Sequence, residues 1–113
     1  MAYEVNGKTI ETDANGYLTD LADWNEDVAK VIAASEGLTL SERAWEIINY
    51  LRDEYINNNG NQPNERHMVK HFKDVWGEAK LDAKALYEHF PRGPAKQASK
   101  IAGLPETKRK GGY

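Results

Sequence analysis

The pattern of apolar residues changes its period near residue 20, and this change constrains the fold more than any other feature. Before it, two short segments, Tyr3-Glu-Val5 and Lys8-Thr-Ile10, flank Asn6-Gly7, the dipeptide that most favours a two-residue hairpin turn. After it, apolar residues recur at spacings of three and four, which is typical of amphipathic helices. Because an isolated hairpin is only marginally stable, its strands must pack on those helices. The sequence therefore predicts an α+β fold that is mainly α.

About five helices are predicted from apolar stripes and from residues that begin or end helices. The first begins after Asp23 or Asn25 and ends at Gly37, and the second begins after Thr39 or Ser41. The second and third helices, over residues 41–59 and 64–77, carry the clearest stripes. These stripes are Trp45, Ile48, Leu51 and Tyr55 in the second helix, and Met68, Val69, Phe72, Val75 and Trp76 in the third.

Two shorter helices and a polar end complete the pattern. Asp82 begins the fourth helix, and Pro94 suits the first turn of the fifth, which Gly103 ends. Beyond Pro105 the sequence has no apolar period. Because 113 residues is the length of one domain, we predict a single domain over residues 1–105 and a flexible C-terminal arm over residues 106–113.

The sequence carries no sign of a membrane span or of an export signal. Its longest purely apolar run is four residues, beginning at Val31, whereas a membrane-spanning helix needs about twenty. The first residues lack the basic and apolar regions of a secretory signal. We therefore expect a cytoplasmic protein with no membrane partner.

The chain contains no cysteine, which excludes disulfides, thiolate metal ligands and cysteine nucleophiles from its own chemistry. His67 and His71 lie four residues apart and would share a helix face, but two ligands do not define a metal site. Ser99 lacks the G-x-S-x-G context of a nucleophile, and the carboxylates Glu42 and Glu46 fall on a polar helix face. These residues therefore predict no enzyme active site, metal site or cofactor site.

Charge is divided unevenly along the chain. Residues 1–59 contain twelve acidic and four basic side chains, whereas residues 60–113 contain eleven basic and six acidic ones. The second and third helices could form a helix-turn-helix, whose reading helix would carry Arg66, His67, Lys70 and Lys73. The segment Lys108-Arg109-Lys110 could add phosphate contacts. DNA binding is therefore one open hypothesis, although the net charge of −3 opposes it.

The segment Phe90-Pro-Arg-Gly-Pro-Ala-Lys-Gln-Ala-Ser-Lys-Ile-Ala-Gly-Leu-Pro105 resembles one family specifically. It is similar to the DsrC/TusE proteins, which comprise the gamma subunit associated with dissimilatory sulfite reductase and a protein of the tRNA 2-thiouridine relay. The similarity continues upstream, for example at Asp23-Trp24, Trp45-Glu-Ile-Ile-Asn-Tyr-Leu-Arg52 and Leu86-Tyr87. The resemblance covers essentially the whole chain and implies a small helical domain with an N-terminal hairpin.

The resemblance also implies a sulfur carrier, but the residues that carry sulfur in that family are absent here. Family members have a cysteine at the next-to-last position of a flexible C-terminal arm, and the DsrC branch has a second cysteine on the last helix. In this chain Gly112 and Ser99 occupy those positions, and the TusE branch is similar in having a hydroxyl residue at the position of Ser99. Sulfur exchange needs a thiolate as nucleophile and as leaving group, so neither residue can hold a persulfide.

Three hypotheses about function stay open. The first is a docking or regulatory partner of the alpha and beta subunits of dissimilatory sulfite reductase, or of sulfurtransferase relay proteins, that transfers no sulfur. Its partner-binding residues would lie on the last helix and the arm: Lys96, Lys100, Lys108, Arg109, Lys110, Gly111, Gly112 and Tyr113. The second is the DNA-binding regulator. The third is a sulfur carrier whose arm cysteine, at the position of Gly112, has been replaced.

Overall fold

The computed structural model describes residues 2–106, which form a hairpin followed by helices. Strands β1 (Ala2–Val5) and β2 (Lys8–Glu11) pair antiparallel, and a short 3-10 helix spans Leu21–Asp23. The α-helices within these residues are α1 (Glu26–Ser35), α2 (Glu42–Asn57), α3 (Glu65–Trp76), α4 (Ala83–His89) and α5 (Pro94–Ile101). The mainly helical α+β fold with an N-terminal hairpin is confirmed.

The hairpin forms as its turn residues predict. Asn6 and Gly7 have φ angles of 53° and 79°, the left-handed values that a type I′ turn requires at both central positions. The register pairs Tyr3 with Ile10. Ile10 and Val5 are buried, and β1 packs against α1. The helical layer therefore supports a hairpin that could not stand alone.

Side chains at the helix starts settle the boundaries that the sequence left open. Asn25, not Asp23, begins α1 by accepting a hydrogen bond from the Val28 backbone N–H at 2.9 Å. Ser41, not Thr39, begins α2 in the same way. The remaining two capped helices, α3 and α4, begin after Asn64 and Asp82. Each cap satisfies a backbone donor that has no partner inside its helix.

The core lies where α5 packs against α1, α2 and α4, and α3 packs against α4. Its large, fully buried side chains come from strand β2, from the helices and from the residues next to them: Ile10, Val28, Ile32, Ile47, Ile48, Leu51, Met68, Phe72, Leu86, Phe90, Ile101 and Leu104. Because α5 contacts three other helices, its position and the path of the chain after it are fixed by the whole core.

The stripe predicted for α3 is wrong at Val75, which is 53% exposed. Met68 and Phe72 are buried as predicted. The Trp76 ring stacks on Phe72 with centroids 4.5 Å apart, and it takes the core-facing position in the last turn of the helix. Val75 is left on the surface beside it.

Within residues 2–106, no helix has both the length and the apolar character that crossing a membrane requires. The α2 helix is 16 residues long and carries charged side chains throughout.

Candidate functional site at the last helix

The last helix begins at a sharp corner. Phe90 is fully buried and fixes the chain before the corner. Gly93 has a φ angle of +115°, a conformation that residues with a Cβ rarely adopt. Pro94 fills the first position of α5, where no backbone N–H donor is needed. The segment from Phe90 to Pro94 therefore sets the direction in which α5 enters the core.

A polar network joins α5 to the end of α1. The Gln97 side chain accepts a hydrogen bond from the Arg92 backbone N–H at 3.0 Å and donates one to Glu36 at 2.7 Å. Glu36 also forms an ion pair with Lys100 at 2.6 Å. Gln97 is only 4% exposed, so its hydrogen bonds satisfy an amide that would be costly to bury unpaired. The network ties the corner, α5 and α1 together.

Two titratable groups at this network have altered pKa values. Burial alone would raise the pKa of Glu36, but hydrogen bonds from Lys100 and Gln97 lower it below its ordinary value. Burial, together with the negative charge of Glu106, raises the pKa of Tyr17 to about 12. At neutral pH, Glu36 is therefore a carboxylate and Tyr17 a neutral phenol.

Two side chains hold the C-terminal end of α5. Trp24 Nε1 donates a hydrogen bond to the Ile101 carbonyl at 2.8 Å, and Arg52 Nη1 donates one to the Ala102 carbonyl at 2.7 Å. The Arg52 guanidinium lies 3.9 Å from the centroid of the Trp24 ring, a cation–π arrangement. A Cβ on Gly103, whose φ angle is +73°, would lie 2.5 Å from Trp24 Cδ1. Trp24 and Arg52 together are called the clamp below, and their close packing around the end of α5 requires glycine at position 103.

The chain leaves the clamp along a path that side chains fix. Gln62 Nε2 donates a hydrogen bond to the Pro105 carbonyl at 2.8 Å, and Asn15 Nδ2 donates one to Glu106 Oε1 at 3.1 Å. Glu106 then lines a cleft of about 330 Å³, called the exit cleft below. The exit cleft is lined by Asn15, Tyr17, Glu36, Arg92, Lys96, Gln97, Lys100 and Glu106. The last described residue thus lies at a cleft that contains three basic side chains.

A family model described as DsrC like protein matches residues 4–109. The chain belongs to the DsrC family. It is 50% identical over 103 residues to sulfurtransferase TusE of Sodalis glossinidius, covering 91% of this chain and 94% of that protein. The NMR structure of Allochromatium vinosum DsrC is 41% identical, with a TM-score of 0.86 over 96% of each chain. The crystal structure of the oxidized gamma-subunit of dissimilatory sulfite reductase (DsrC) from Archaeoglobus fulgidus is 36% identical, with a TM-score of 0.88 over 97% of this chain and 99% of that one.

In this DsrC-family chain, Ser99 lies inside the protein. It is 2% exposed, and its carbonyl accepts a hydrogen bond from the Leu104 backbone N–H at 3.0 Å. The resemblance places the second cysteine of the DsrC branch at this position, where this chain has a buried hydroxyl. The other family position, Gly112, lies outside the described residues.

The structure describes two of the eight predicted partner-binding residues. Lys96 is exposed at the exit cleft, whereas Lys100 is only 21% exposed and is paired with Glu36. The remaining six, which lie outside the described residues, are Lys108, Arg109, Lys110, Gly111, Gly112 and Tyr113. The contact role of all eight stays a prediction.

The four residues considered for DNA binding lie on the exposed side of α3: Arg66, His67, Lys70 and Lys73. Residues 58–64 join α2 to α3. This loop is longer than the three or four residues usual in a helix-turn-helix. Within residues 2–106 no group of three or more His, Cys, Asp or Glu side chains is placed to hold a metal ion. His71 instead stacks on Tyr50, with ring centroids 4.0 Å apart.

Several residues of the exit cleft were not predicted from the sequence. Arg92 and Gln97 belong to the segment that carries the family resemblance, so that segment could have pointed to them. Glu36 and Tyr17 follow no recognisable motif. Glu36 lies 61 positions before Gln97, and only the packing of α1 against α5 brings the two side chains together.

Proposed function

We propose that this chain is a non-catalytic docking or regulatory member of the DsrC family, which binds sulfite reductase or sulfur-relay proteins without carrying sulfur itself. One observation carries the proposal: four side chains from separate parts of the fold hold residues 101–106, yet the sequence contains no cysteine. The contacts that position the end of the last helix are present, whereas a thiol that could carry sulfur is absent.

The chemistry of sulfur transfer supports the separation of docking from carrying. A carrier accepts sulfane sulfur as a thiolate nucleophile and gives it up again through thiolate exchange. Ser99 offers only a hydroxyl, and that hydroxyl belongs to a buried residue. The chain therefore forms no persulfide, acts as no enzyme, and affects sulfur transfer only through the proteins that it binds.

The partner class is inferred from the relatives and from charge. The similar protein of Archaeoglobus fulgidus is a gamma-subunit of dissimilatory sulfite reductase, and that of Sodalis glossinidius is a sulfurtransferase. Arg92 and Lys96 are exposed at the exit cleft, where they can pair with acidic groups of such a partner. In the sequence, the segment Lys108-Arg109-Lys110 begins two positions after Glu106 and adds three positive charges.

Binding measurements with purified partners test the proposal. The full chain would be titrated calorimetrically into the alpha and beta subunits of sulfite reductase and, separately, into sulfurtransferase relay proteins from the same organism. We expect binding to one class, and a version ending at Pro105 should bind about tenfold or more weakly because it lacks the basic segment. Failure of the full chain to bind either class would contradict the proposal.

A matched pair of charge reversals locates the contact. Lys96→Glu should weaken binding, whereas Lys30→Glu, an exposed change of the same charge on α1, should leave it unchanged. Equal effects of the two variants would mean that only the overall charge matters and that the exit cleft is not the docking site.

A substitution at the arm position distinguishes the proposed docking function from the hypothesis of a sulfur carrier. Gly112→Cys and the unchanged chain would both be incubated with a persulfide donor and weighed by mass spectrometry. The proposal predicts no mass gain for the unchanged chain, even when it is bound to its partner. If Gly112→Cys gained one sulfur atom and passed it to a relay protein, the hypothesis of a carrier with a replaced cysteine would be favoured.

A further inference from the structure

We infer that the groove between α3 and the start of α4 is a second docking surface, which binds an acidic protein segment with an apolar side chain. The groove has a volume of about 360 Å³ and is lined by Arg66, Val69, Lys70, Lys73, Leu81, Asp82 and Ala83. It shares no lining residue with the exit cleft, so the inference does not depend on the function proposed above.

The groove combines an apolar floor with a basic rim. Leu81 is 5% exposed, and Val69 is partly buried against the core. Arg66, Lys70 and Lys73 are exposed and follow one another along one side of α3 at spacings of four and three residues. An apolar side chain of a ligand could therefore lie on the floor while neighbouring carboxylates meet the rim.

The rim side chains form no ion pairs with the part of the chain that the structure describes. Within residues 2–106, three basic side chains elsewhere pair with carboxylates, whereas the three of the rim do not. Asp82 is the acidic side chain in the groove lining, and its Oδ1 accepts a hydrogen bond from the Ala85 backbone N–H at the start of α4. The charge of the rim is therefore available to an acidic ligand.

The size and the floor of the groove favour a protein segment over nucleic acid. From Arg66 to Lys73 the rim extends about 10 Å along the helix, at 1.5 Å per residue, which matches a few carboxylates of a short peptide. Nucleic-acid binding draws its affinity from many phosphate contacts, to which an apolar floor adds nothing.

A labelled peptide of five glutamates with one leucine and one phenylalanine would test the groove by fluorescence anisotropy with the full chain. We expect Lys70→Glu to weaken peptide binding about tenfold, because it replaces attraction by repulsion at the centre of the rim. Lys30→Glu changes the net charge equally at an exposed site on α1 and should have little effect. Both lysines are exposed, so both variants should fold, and thermal unfolding would confirm this. Equal weakening by the two variants would overturn the inference.

A second peptide and two other ligands test what the groove selects. Replacement of the leucine and phenylalanine by serine should weaken binding about tenfold, because the apolar floor is then unused. Equal binding of the two peptides would overturn the role of the floor. The inference would be overturned in favour of nucleic acid if duplex DNA bound the chain, Lys70→Glu abolished that binding, and neither peptide bound. A dimer seen by sedimentation and lost in Lys70→Glu would overturn it in favour of a second copy of this chain.

Discussion

Lys100 on α5 and Lys70 on α3 have different roles in the fold. Lys100 on α5 is mostly buried and pairs with Glu36, which also accepts a hydrogen bond from Gln97. Lys70 on α3 is exposed and forms no ion pair with the described residues. The two lysines look alike in the sequence, but one helps to hold the fold and the other faces solvent. Changes at the buried contacts of α5 should therefore alter stability, whereas changes on the exposed rim of α3 should alter binding alone.

The largest expected effect is at Gly103, where the clamp on α5 is tightest. Gly103→Ala places a Cβ 2.5 Å from Trp24 Cδ1 in a backbone of positive φ. We expect the free energy of unfolding to fall by about 3 kcal/mol, from backbone strain and overpacking together. Urea denaturation measures the loss.

Gly37→Ala is the matched control for this change. Its φ angle of +75° is nearly the same, but a Cβ there would have no neighbour within 4 Å. The control should therefore cost only the backbone strain, about 1 kcal/mol. If the two variants were equally stable, the Trp24 clamp would not be the tight contact described here.

Two arginines sharpen the comparison between the regions. Arg52→Ala removes the hydrogen bond to the Ala102 carbonyl and the stacking on Trp24, and it should cost about 2 kcal/mol of unfolding free energy. Arg66→Ala removes the same kind of side chain from the exposed rim of α3 and should change stability by less than about 0.5 kcal/mol. Thermal or urea unfolding of the two variants side by side would check this, and equal losses would contradict the comparison.

The ion pair of Glu36 should give stability a dependence on acid pH. The folded state lowers the pKa of Glu36 from its ordinary value of 4.5, so its contribution is present above pH 4.5 and is lost as the pH falls through the lower folded-state pKa. Near neutral pH, Glu36→Gln should cost about 1 kcal/mol, and this difference should shrink in acid. Unfolding curves measured from neutral to acidic pH test the trend.

The exposed pair of Lys8 and Asp23 is the control for Glu36. Lys8 is 69% exposed and lies 3.7 Å from the Asp23 carboxylate. Lys8→Ala should therefore change stability by less than about 0.5 kcal/mol.

The pH dependence at Glu36 has one contradicting outcome. If the difference in unfolding free energy between wild type and Glu36→Gln stayed constant into strong acid, the pKa of Glu36 would not be lowered.

The last expected effect concerns the ionisation of Tyr17 in alkali. The pKa of Tyr17 is raised from 10.0 to about 12, so the stability linked to its neutral form is complete below pH 10 and is lost as the pH rises toward 12. The ultraviolet titration of wild type minus that of Tyr17→Phe should show one phenol ionising near pH 12. A midpoint near pH 10 would show that Tyr17 is not buried as described.

Local signals in the sequence predicted the parts of the fold that short-range chemistry decides. Asn6-Gly7 gave the hairpin turn, and Asp82 gave the start of α4, because each acts on backbone groups a few residues away. Where two nearby caps were possible, at Asn25 or Asp23, the sequence did not distinguish them. Val75 shows what periodicity alone cannot predict. The neighbouring elements decide which residues at the edge of an apolar stripe are buried.

The candidate site was predicted less completely, because its contacts join distant parts of the chain. Trp24 donates to the carbonyl of Ile101, which lies 77 positions later. Lys96 was expected to be exposed at a contact surface, and it is exposed at the exit cleft. Nothing local in the sequence distinguishes it from Lys100, whose charge is neutralised inside the site by Glu36.

A competition experiment tests the central claim that this chain docks without carrying sulfur. A cysteine-bearing DsrC-family protein would be bound to its sulfite reductase or sulfurtransferase partner, and increasing amounts of this chain would then be added in the presence of a persulfide donor. The account predicts that this chain displaces the cysteine-bearing protein, slows sulfur transfer, and keeps its own mass. Undiminished transfer at saturating amounts of the chain, or a gain of one sulfur atom in its mass, would contradict the account.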